Sequence, residues 1–425
     1  MATISIITLV DAVDDLPEVH RSLTAQTVDD WEWMLVALHV GPVDYDLMAD
    51  RRVQLLYAPE SVVELGWGAC KRLACEKASG THLLELDQHD LLAPGAIAAI
   101  LQAIEETDAD FMYSDFANLA VGRRELQGYQ PAYGWESYEV EAFGARHRAI
   151  RSFDPDPSSL HQVAYAPSHG LVWRREAYLA AGGHESLGSA DSFDLVCRTY
   201  LSGASFHHIR ECLVFSRQHA YRHHDPEAEQ RLANTYLYAL IEEWSRRSGL
   251  SMLDLGAAHN PAVGFTSVDL EDAEINCDVR FGLPVPDGSV GCVRASDFLE
   301  HMNHCPDSTC THGADGVSPR CVVGVMNELY RVLAPGGWLV SRTPSTGGRG
   351  AFQDPTHTSF WNPNSFWYFS RRDQARFVRG VECRFQAPRV WEAYPDEWHE
   401  ANDILYVFAD LVALKDQRQP GLCEI

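Results

Sequence analysis

The sequence predicts an α/β protein made of two successive units, and three observations support that prediction. An apolar, strand-like run opens the chain at residues 4–10, and residues 80–94 carry a strand into a polar turn. A separate strand-to-loop unit begins at residues 251–256. With 425 residues and 46% hydrophobic content, the chain exceeds what one core usually organises and has enough apolar material for two.

A short acidic segment ends the strand within residues 80–94. Asp87, His89 and Asp90 fall close together there. Carboxylate oxygens and an imidazole at a strand end can hold a divalent cation against a diphosphate. The same composition also suits a solvated loop, so the metal interpretation depends on the surrounding sequence.

The surrounding landmarks resemble those of the family 2 glycosyltransferases, which have the GT-A fold. In chain order, the matching segments are residues 4–10, 22–32, 66–78, 80–94, 113–115, 174–183, 191–195, 208–209 and 217–219. The resemblance implies transfer of a sugar from a nucleotide-sugar, with a UDP-sugar as the first choice of donor. It also implies a divalent manganese or magnesium ion and a glycan, lipid-linked or protein acceptor.

The resemblance assigns individual residues to this site. The implied metal ligands are Asp87, His89, Asp90 and His219, and the implied donor-binding residues are Thr8, Lys71, Asp87 and Asp115. Asp191 is the expected general base, and Asp194 is the alternative because the spacing does not align cleanly with the family's acidic pair. His219 lies in a run with His223 and His224, so a surface histidine is an equal interpretation.

Two departures from the family pattern concern the donor. His89 replaces the second Asp of the acidic motif, and the predicted strand at residues 33–39 lacks the carboxylate that usually reads the nucleotide base. Imidazole remains a competent ligand, but it shifts preference away from magnesium. The nucleotide therefore stays undetermined.

Composition limits the partners and the compartment. The formal net charge of −26 disfavours nucleic acid, which is bound through Lys and Arg at its phosphates. No apolar run is long enough to span a membrane, and residues 1–5 carry no secretory signal. We therefore expect a cytoplasmic protein whose 11 cysteines are reduced.

A helix is predicted to join the two units. Asp225 and Pro226 form a start signal, and apolar residues recur at helical spacing up to Trp244. The predicted organisation is a GT-A domain at residues 1–224, a connecting helix at residues 225–249 and a second domain at residues 250–425.

The second unit begins like a nucleotide-binding βαβ motif, with a glycine after the first strand and an acidic residue ending the next. Together with residues 277–290, 295–301 and 328–340, this start resembles the class I S-adenosylmethionine-dependent methyltransferases, which have a Rossmann-like fold. The residues implied to bind the cofactor are Asp254, Gly256, Ala257, Asp269, Asp278 and Asp297. The usual Gly-x-Gly is altered to Gly256, Ala257 and Ala258, so a catalytically silent fold is an alternative.

The positions imply specific roles in that fold. Asp254 and Gly256 border the methionine moiety, Asp269 the ribose and Asp278 the adenine, while Asp297 ends the fourth strand beneath the cofactor. Residues 343–369 combine polar groups with aromatic faces. They form either a sugar-binding lid or part of the core. His301 or His357 is the candidate base for methyl transfer to a hydroxyl.

A cysteine-rich segment precedes the last helix-turn-strand unit. It offers four soft ligands: Cys305, Cys310, His312 and Cys321. They are suited to a structural zinc ion, but no Cys-x-x-Cys pair is present, so an ordinary cysteine-containing loop is the competing interpretation.

These observations predict a bifunctional enzyme that transfers a sugar and methylates a hydroxyl, with that sugar as the first choice of methyl acceptor. One rival hypothesis is a glycan-binding or scaffold protein built from degenerate enzyme folds. Another is an enzyme that keeps only one of the two activities.

Overall fold

The structure is a computed structural model with two compact units, Met1–Leu240 and Ile241–Ile425. The described residues are 3–38, 45–119, 129–163, 166–217, 225–306 and 309–423. Helix Pro226–Arg247 continues from one unit into the next, so the boundary lies inside the helix expected to connect them.

The first unit contains ten strands and eight helices before the long helix, counted within the described residues. The strands are β1 (Ile4–Val10), β2 (Trp31–Ala37), β3 (Val53–Tyr57), β4 (His82–Glu85), β5 (Leu91–Leu92), β6 (Phe111–Leu119), β7 (Glu136–Ala142), β8 (Ala145–Arg151), β9 (Val172–Arg174) and β10 (Phe206–Arg217). The helices are α1 (Leu16–Thr24), α2 (Tyr45–Met48), α3 (Glu60–Val63), α4 (Trp67–Lys77), α5 (Ala96–Thr107), α6 (Pro157–Gln162), α7 (Arg175–Ala180) and α8 (Asp191–Leu201), followed by α9 (Pro226–Arg247). Short 3₁₀ turns occupy Pro131–Tyr133 and Gly188–Ala190.

These strands form one mixed sheet in the order β3-β2-β1-β4-β9-β6-β10-β5, with the β7-β8 hairpin paired to β6. The first four of these run parallel, and every residue of β2 is buried, as expected for a strand packed on both faces. Because β1 and β4 are parallel neighbours, the segments that follow them leave the sheet at the same edge. The acidic loop at residues 87–90 lies there.

The second unit contains a seven-stranded sheet. Its strands are β11 (Ser251–Leu255), β12 (Thr266–Asp269), β13 (Ile275–Asn276), β14 (Val290–Ser296), β15 (Leu333–Pro344), β16 (Phe385–Ala393) and β17 (Tyr406–Ala413). Its remaining helices are α10 (Val322–Val332), α11 (Gly350–Gln353), α12 (Trp367–Ser370), α13 (Arg372–Ala375) and α14 (Glu397–Ala401), with 3₁₀ turns at Val279–Phe281, Leu299–His301 and Pro363–Phe366.

The order of this sheet is β13-β12-β11-β14-β15-β17-β16, and only β17 runs antiparallel to its neighbours. The chain reverses its direction of travel across the sheet between β11 and β14, which makes the carboxyl ends of these two strands a topological switch point. Buried residues of α10, among them Val325 and Leu329, join Leu253 and Val293 of the strands in one apolar core.

The connection from β11 to β12 departs from the usual crossover. Residues 256–265 contain no helix, although a parallel crossover usually does. Gly256 and Asp269 are close in the sequence because the connection between β11 and β12 is too short to include a crossover helix.

Among the described residues, no helix combines the length and apolar character needed to cross a bilayer.

Candidate functional sites

The acidic loop after β4 does not bring its three predicted metal ligands together. Asp87 is exposed and its Oδ1 accepts the backbone N–H of His89 at 2.9 Å. Asp90 is buried, and its Oδ1 accepts the backbone N–H of Arg217 at 3.0 Å. Burial, followed by the nearby Asp87 charge, raises the pKa of Asp90 well above its usual range. A buried carboxyl group that already accepts a protein N–H is poorly placed to coordinate a cation.

The imidazole of His89 is held by charged neighbours. Its Nδ1 lies 2.6 Å from Asp15 Oδ2, and Arg217 Nη1 lies 3.1 Å from the other oxygen of Asp15. The loop in this arrangement therefore does not fit a divalent cation, and Asp87 alone offers an exposed carboxylate from it. The fourth predicted ligand, His219, lies outside the described residues.

A buried charge network lies beside this loop, where α4, β4 and α8 meet. Lys71 Nζ donates to Glu85 Oε2 at 3.0 Å, to Asp191 Oδ1 at 3.2 Å and to Ser192 Oγ at 2.7 Å. His184 Nε2 lies 2.5 Å from the other oxygen of Glu85. Burial alone would lower the pKa of Lys71, but the Asp191 and Glu85 carboxylates raise it above its ordinary value. Lys71, predicted to bind the donor, is thus engaged with carboxylates.

The two candidate bases on α8 differ in their partners. Asp194 accepts from Arg198 Nε at 2.7 Å and from the Tyr236 hydroxyl at 2.6 Å, so both its oxygens are used. Asp191 is 3% exposed, and its Oδ1 accepts from Lys71 and from the backbone N–H of Ser192. Its Oδ2 is buried and has no hydrogen-bond partner among the described residues. A carboxylate oxygen in that state can accept a proton from a bound hydroxyl.

The remaining donor-site candidates make hydrogen bonds inside the sheet. The Thr8 hydroxyl donates to the Leu86 carbonyl at 2.8 Å and accepts the Trp33 indole N–H at 2.9 Å. Thr8 is also fully buried. These bonds tie β1 to its two neighbouring strands.

Asp115 is likewise fully buried and has three partners. Its carboxylate accepts the backbone N–H of Ser152 at 2.9 Å and the Tyr138 hydroxyl at 2.8 Å. His208 Nε2 lies 2.7 Å away, and Nδ1 of the same ring lies 3.2 Å from Asp154. His208 therefore bridges two carboxylates, an arrangement that the sequence did not reveal because the three residues are far apart in the chain.

In the second unit, the switch point brings together the ends of β11 and β14. Gly256 has a φ of +72°, and a Cβ added there would lie 3.3 Å from the Phe298 ring. The loop that follows Gly256 is held by carboxylates. Asp269 Oδ2 accepts the backbone N–H of Ala258 at 3.1 Å, and Asp254 Oδ2 accepts that of Ala262 at 2.9 Å. The small residue Ala257 lies between Gly256 and Ala258 and is half-buried.

Three of the predicted cofactor carboxylates also pair with arginines. Arg294 Nη1 donates to the buried Asp254 at 2.7 Å, and Arg280 Nη2 donates to Asp278 at 2.7 Å. Asp297 accepts from Arg342 Nη2 at 2.9 Å and, through its other oxygen, from the Tyr406 hydroxyl at 2.6 Å. Asp269 differs from these three, because its hydrogen bonds within the described part of the chain come from the backbone N–H groups of Ala258 and Leu270.

The two histidines predicted as bases in this unit lie together with a carboxyl group that the sequence analysis missed. Ligand atoms of Glu300, His301 and His357 lie within 4.8 Å of one another. The His357 Nδ1–H donates to the Ala351 carbonyl at 3.1 Å, which leaves Nε2 as the basic nitrogen of the neutral ring. Glu300 Oε1 is buried without a hydrogen-bond partner among the described residues, and burial raises the pKa of Glu300. Glu300 is the neighbour of His301 in the sequence, and this adjacency could have indicated that its carboxyl group belongs to the same cluster.

The four cysteine and histidine residues predicted as zinc ligands are also close together. Their ligand atoms lie within 4.8 Å of one another: Cys305, Cys310, His312 and Cys321.

Comparison with known proteins yields one curated relative of interest. No protein-family model matches the chain. The O-antigen biosynthesis protein RfbC of Myxococcus xanthus is 28% identical over 233 residues, which cover 50% of this chain but only 16% of the relative. The chain therefore spans a small part of that protein's length.

Solved structures of S. aureus TarS are also similar to part of the chain. The complex with UDP has a TM-score of 0.39 and 14% identity, and covers 58% of this chain and 70% of the TarS chain. The complex with UDP-GlcNAc has a TM-score of 0.41 and 16% identity, with 58% and 71% covered. These scores are too low to establish a shared fold.

Proposed function

We propose that the first unit transfers a sugar from a nucleotide-sugar to a hydroxyl of a glycan, lipid-linked or protein acceptor. The observation that carries the proposal is Asp191, a buried carboxylate with one oxygen held by protein donors and the other without a partner among the described residues. The similarity of part of the chain to an O-antigen biosynthesis protein favours a saccharide acceptor.

In this reaction Asp191 Oδ2 accepts the acceptor's hydroxyl proton while the hydroxyl oxygen attacks the anomeric carbon. The bond from that carbon to the diphosphate oxygen breaks, and the nucleoside diphosphate leaves with the electron pair. Lys71 and Ser192 fix the orientation of Asp191 through Oδ1. Glu85, which is itself paired with His184, in turn holds Lys71, so the base is supported by a network of charges.

Metal dependence is a separate part of the proposal. The sequence predicts that a cation bound to Asp87, His89 and Asp90 balances the diphosphate charge, but their contacts do not fit a cation. Activity with and without manganese or magnesium is therefore an informative measurement, and no step described here passes through a metal.

We propose that the second unit binds S-adenosylmethionine at the switch point between β11 and β14. Support comes from the strand order, in which β13, β12, β11 and β14 form a parallel, Rossmann-like half sheet with a switch point between β11 and β14. Gly256 allows close backbone approach, and Asp269 ends β12 where ribose hydroxyls bind in such sheets. Its oxygens each hold one N–H and can accept further bonds.

The cofactor would supply a methyl group on a positively charged sulfur. Nε2 of His357 would then take the proton of the acceptor hydroxyl, because its Nδ1 is committed to the Ala351 carbonyl. His301, whose Nδ1 lies 3.2 Å from the Thr356 hydroxyl, is the second candidate for that proton.

Calorimetric titration of the full chain tests both proposals. Nucleotide-sugars should bind, and a working first unit should then release nucleoside diphosphate when an acceptor is supplied. S-adenosylmethionine should bind independently and lose affinity in Asp269→Ala. Failure of both ligand classes to bind a well-folded protein would reject the enzyme proposals.

The dispersed acidic loop and the missing crossover helix favour a second candidate, a saccharide-binding protein derived from these folds. It predicts glycan binding without nucleotide-sugar or cofactor binding. A glycan array combined with the same titrations separates the two functions.

A further inference from the structure

A compact group of soft ligands lies in the segment between β14 and α10. Its members are Cys305, Cys310, His312 and Cys321, whose ligand atoms lie within 4.8 Å of one another. In a tetrahedral zinc site with bonds of about 2.0–2.3 Å, the ligand atoms are separated by roughly 3.5–4 Å. We propose that these four side chains bind a structural zinc ion through three sulfurs and one nitrogen.

The backbone around His312 is arranged to present one ring nitrogen to the sulfurs. Nδ1 lies 3.1 Å from Cys321 Sγ and 3.9 Å from Cys305 Sγ. The residue has a φ of 55°, an uncommon conformation for a side chain of this size. A Cβ at Gly324 would lie 2.0 Å from the His312 carbonyl oxygen, and one at Gly380 would lie 2.3 Å from the imidazole Cδ2. Two glycines therefore provide the room that this orientation requires.

Cys321 is placed to act as a thiolate ligand. It is the N-cap residue of α10, so it lies at the end of the helix that carries the positive partial charge. That charge favours the anionic thiolate form of a metal ligand. The next residue, Val322, donates its N–H to the Asn303 carbonyl at 2.8 Å, which brings the start of the segment to the start of the helix.

The group joins three parts of the second unit. Asn327 on α10 donates to the Gly380 carbonyl at 2.7 Å, and its side-chain oxygen accepts the N–H of Cys383 at 3.1 Å. Gly380 in turn lies against the His312 ring. A zinc ion here would fasten the cysteine segment to α10 and to the chain before β16, which is a structural role independent of both proposed activities.

A disulfide accounts less well for this arrangement. It would use two sulfurs and leave a third sulfur and the imidazole in the same cluster, whereas one tetrahedral ion uses all four. All 11 cysteines are free thiols in the structure, and Cys305 is exposed. Zinc binding would convert the three thiols into thiolates and release their protons.

Metal analysis of the full chain tests the proposal directly. The protein would be expressed in zinc-supplemented medium without a histidine tag and purified without chelators, and its metal content measured by mass spectrometry. We expect stoichiometric zinc in the wild type and in Cys423→Ser, a control at a partly buried cysteine of the same unit. Cys305→Ser, at the exposed ligand, should lose most of the zinc while circular dichroism remains unchanged.

Cobalt substitution supplies a second readout. Tetrahedral thiolate coordination gives intense visible and near-ultraviolet bands, which should weaken in Cys305→Ser and stay unchanged in Cys423→Ser. Zinc-free wild type with no cobalt bands would overturn the proposal, and so would a Cys305–Cys310 disulfide found by peptide mapping of protein purified under reducing conditions. Either result would leave the proposed transferase activities intact.

Discussion

The acidic loop at residues 87–90 and the cysteine-rich segment at residues 305–321 both contain a dense run of potential ligands, but their side chains behave differently. In the cysteine-rich segment four ligand atoms lie within 4.8 Å of one another. In the acidic loop, His89 turns to Asp15 at 2.6 Å and Asp90 is buried. A run of potential ligands can therefore converge on one ion only where burial and neighbouring groups do not engage its members first.

The same distinction separates single carboxyl groups. We call Asp191 and Glu300 open, because each has a buried oxygen without a hydrogen-bond partner among the described residues. Asp194 and Asp115 are engaged, because protein donors contact both of their oxygens. The comparison predicts that open groups serve chemistry and that engaged groups serve stability.

The pair on α8 gives the largest expected contrast. Asp191→Asn should reduce sugar transfer by about 10²–10⁴-fold, because an amide cannot accept the hydroxyl proton. Its stability should change little, since Lys71 keeps its bond to Glu85. Asp194→Asn should cost about 1–3 kcal/mol of unfolding free energy by weakening the bonds to Arg198 and Tyr236, while the folded fraction keeps its turnover. Turnover measured beside denaturant unfolding checks both variants, and the reverse result would exchange their roles.

The second contrast lies in the second unit and concerns the proposed methyl transfer. His357→Gln should lower methyl transfer by at least about 10²-fold without weakening cofactor binding, because the base acts on the acceptor. His399→Gln is the matched control, since that histidine lies on α14 and pairs with Asp396, the N-cap residue of the helix. Initial rates and cofactor Kd for each variant check the prediction. Equal rates in the two variants would remove His357 from the reaction.

The acidic loop gives a third, smaller contrast. Asp87→Asn should weaken nucleotide-sugar binding if the exposed carboxylate is the loop's contribution to the donor site. Asp90→Asn should leave donor binding unchanged, because an amide oxygen can still accept the Arg217 N–H. Calorimetry with manganese present measures both. A larger effect at Asp90 would show that the loop rearranges around a cation when donor binds.

Several strands and the long helix could be predicted from the sequence, but the contacts between distant side chains could not. Strands β1, β11 and β12 follow from apolar runs with turn signals, and α9 follows from its cap and its apolar spacing. The pairing of Glu85 with His184 could not be predicted, because these residues are 99 positions apart and no pattern in the sequence links them. The contacts of the acidic loop with Asp15 and Arg217 could not be predicted either, because these residues come close to the loop only in the folded sheet.

The smallest expected effect concerns an engaged histidine and the pH dependence of stability. His208 lies between Asp115 and Asp154 and stacks on Tyr113 with ring centroids 4.6 Å apart. Burial alone would lower the pKa of His208, but the two carboxylates raise it above its ordinary value. A raised folded-state pKa means that the stabilisation is complete below the unfolded value, near pH 6.5, and is lost as the pH rises through the folded value.

His208→Gln should therefore remove a decline in stability that the wild type shows above about pH 6.5. At acidic pH, the hydrogen bond from His208 and, less strongly, that from Tyr113 hold the pKa of Asp154 at about 2. The stabilisation by the Asp154 carboxylate is therefore complete above the pKa of an unfolded Asp and is lost as the pH falls through the folded-state pKa. Melting temperatures recorded from acid to mildly alkaline pH for both proteins check the sign. If the melting temperatures of the two proteins changed in parallel with pH, His208 would contribute no pH dependence to stability. A position between two carboxylates would then not be enough to predict a stabilising histidine charge.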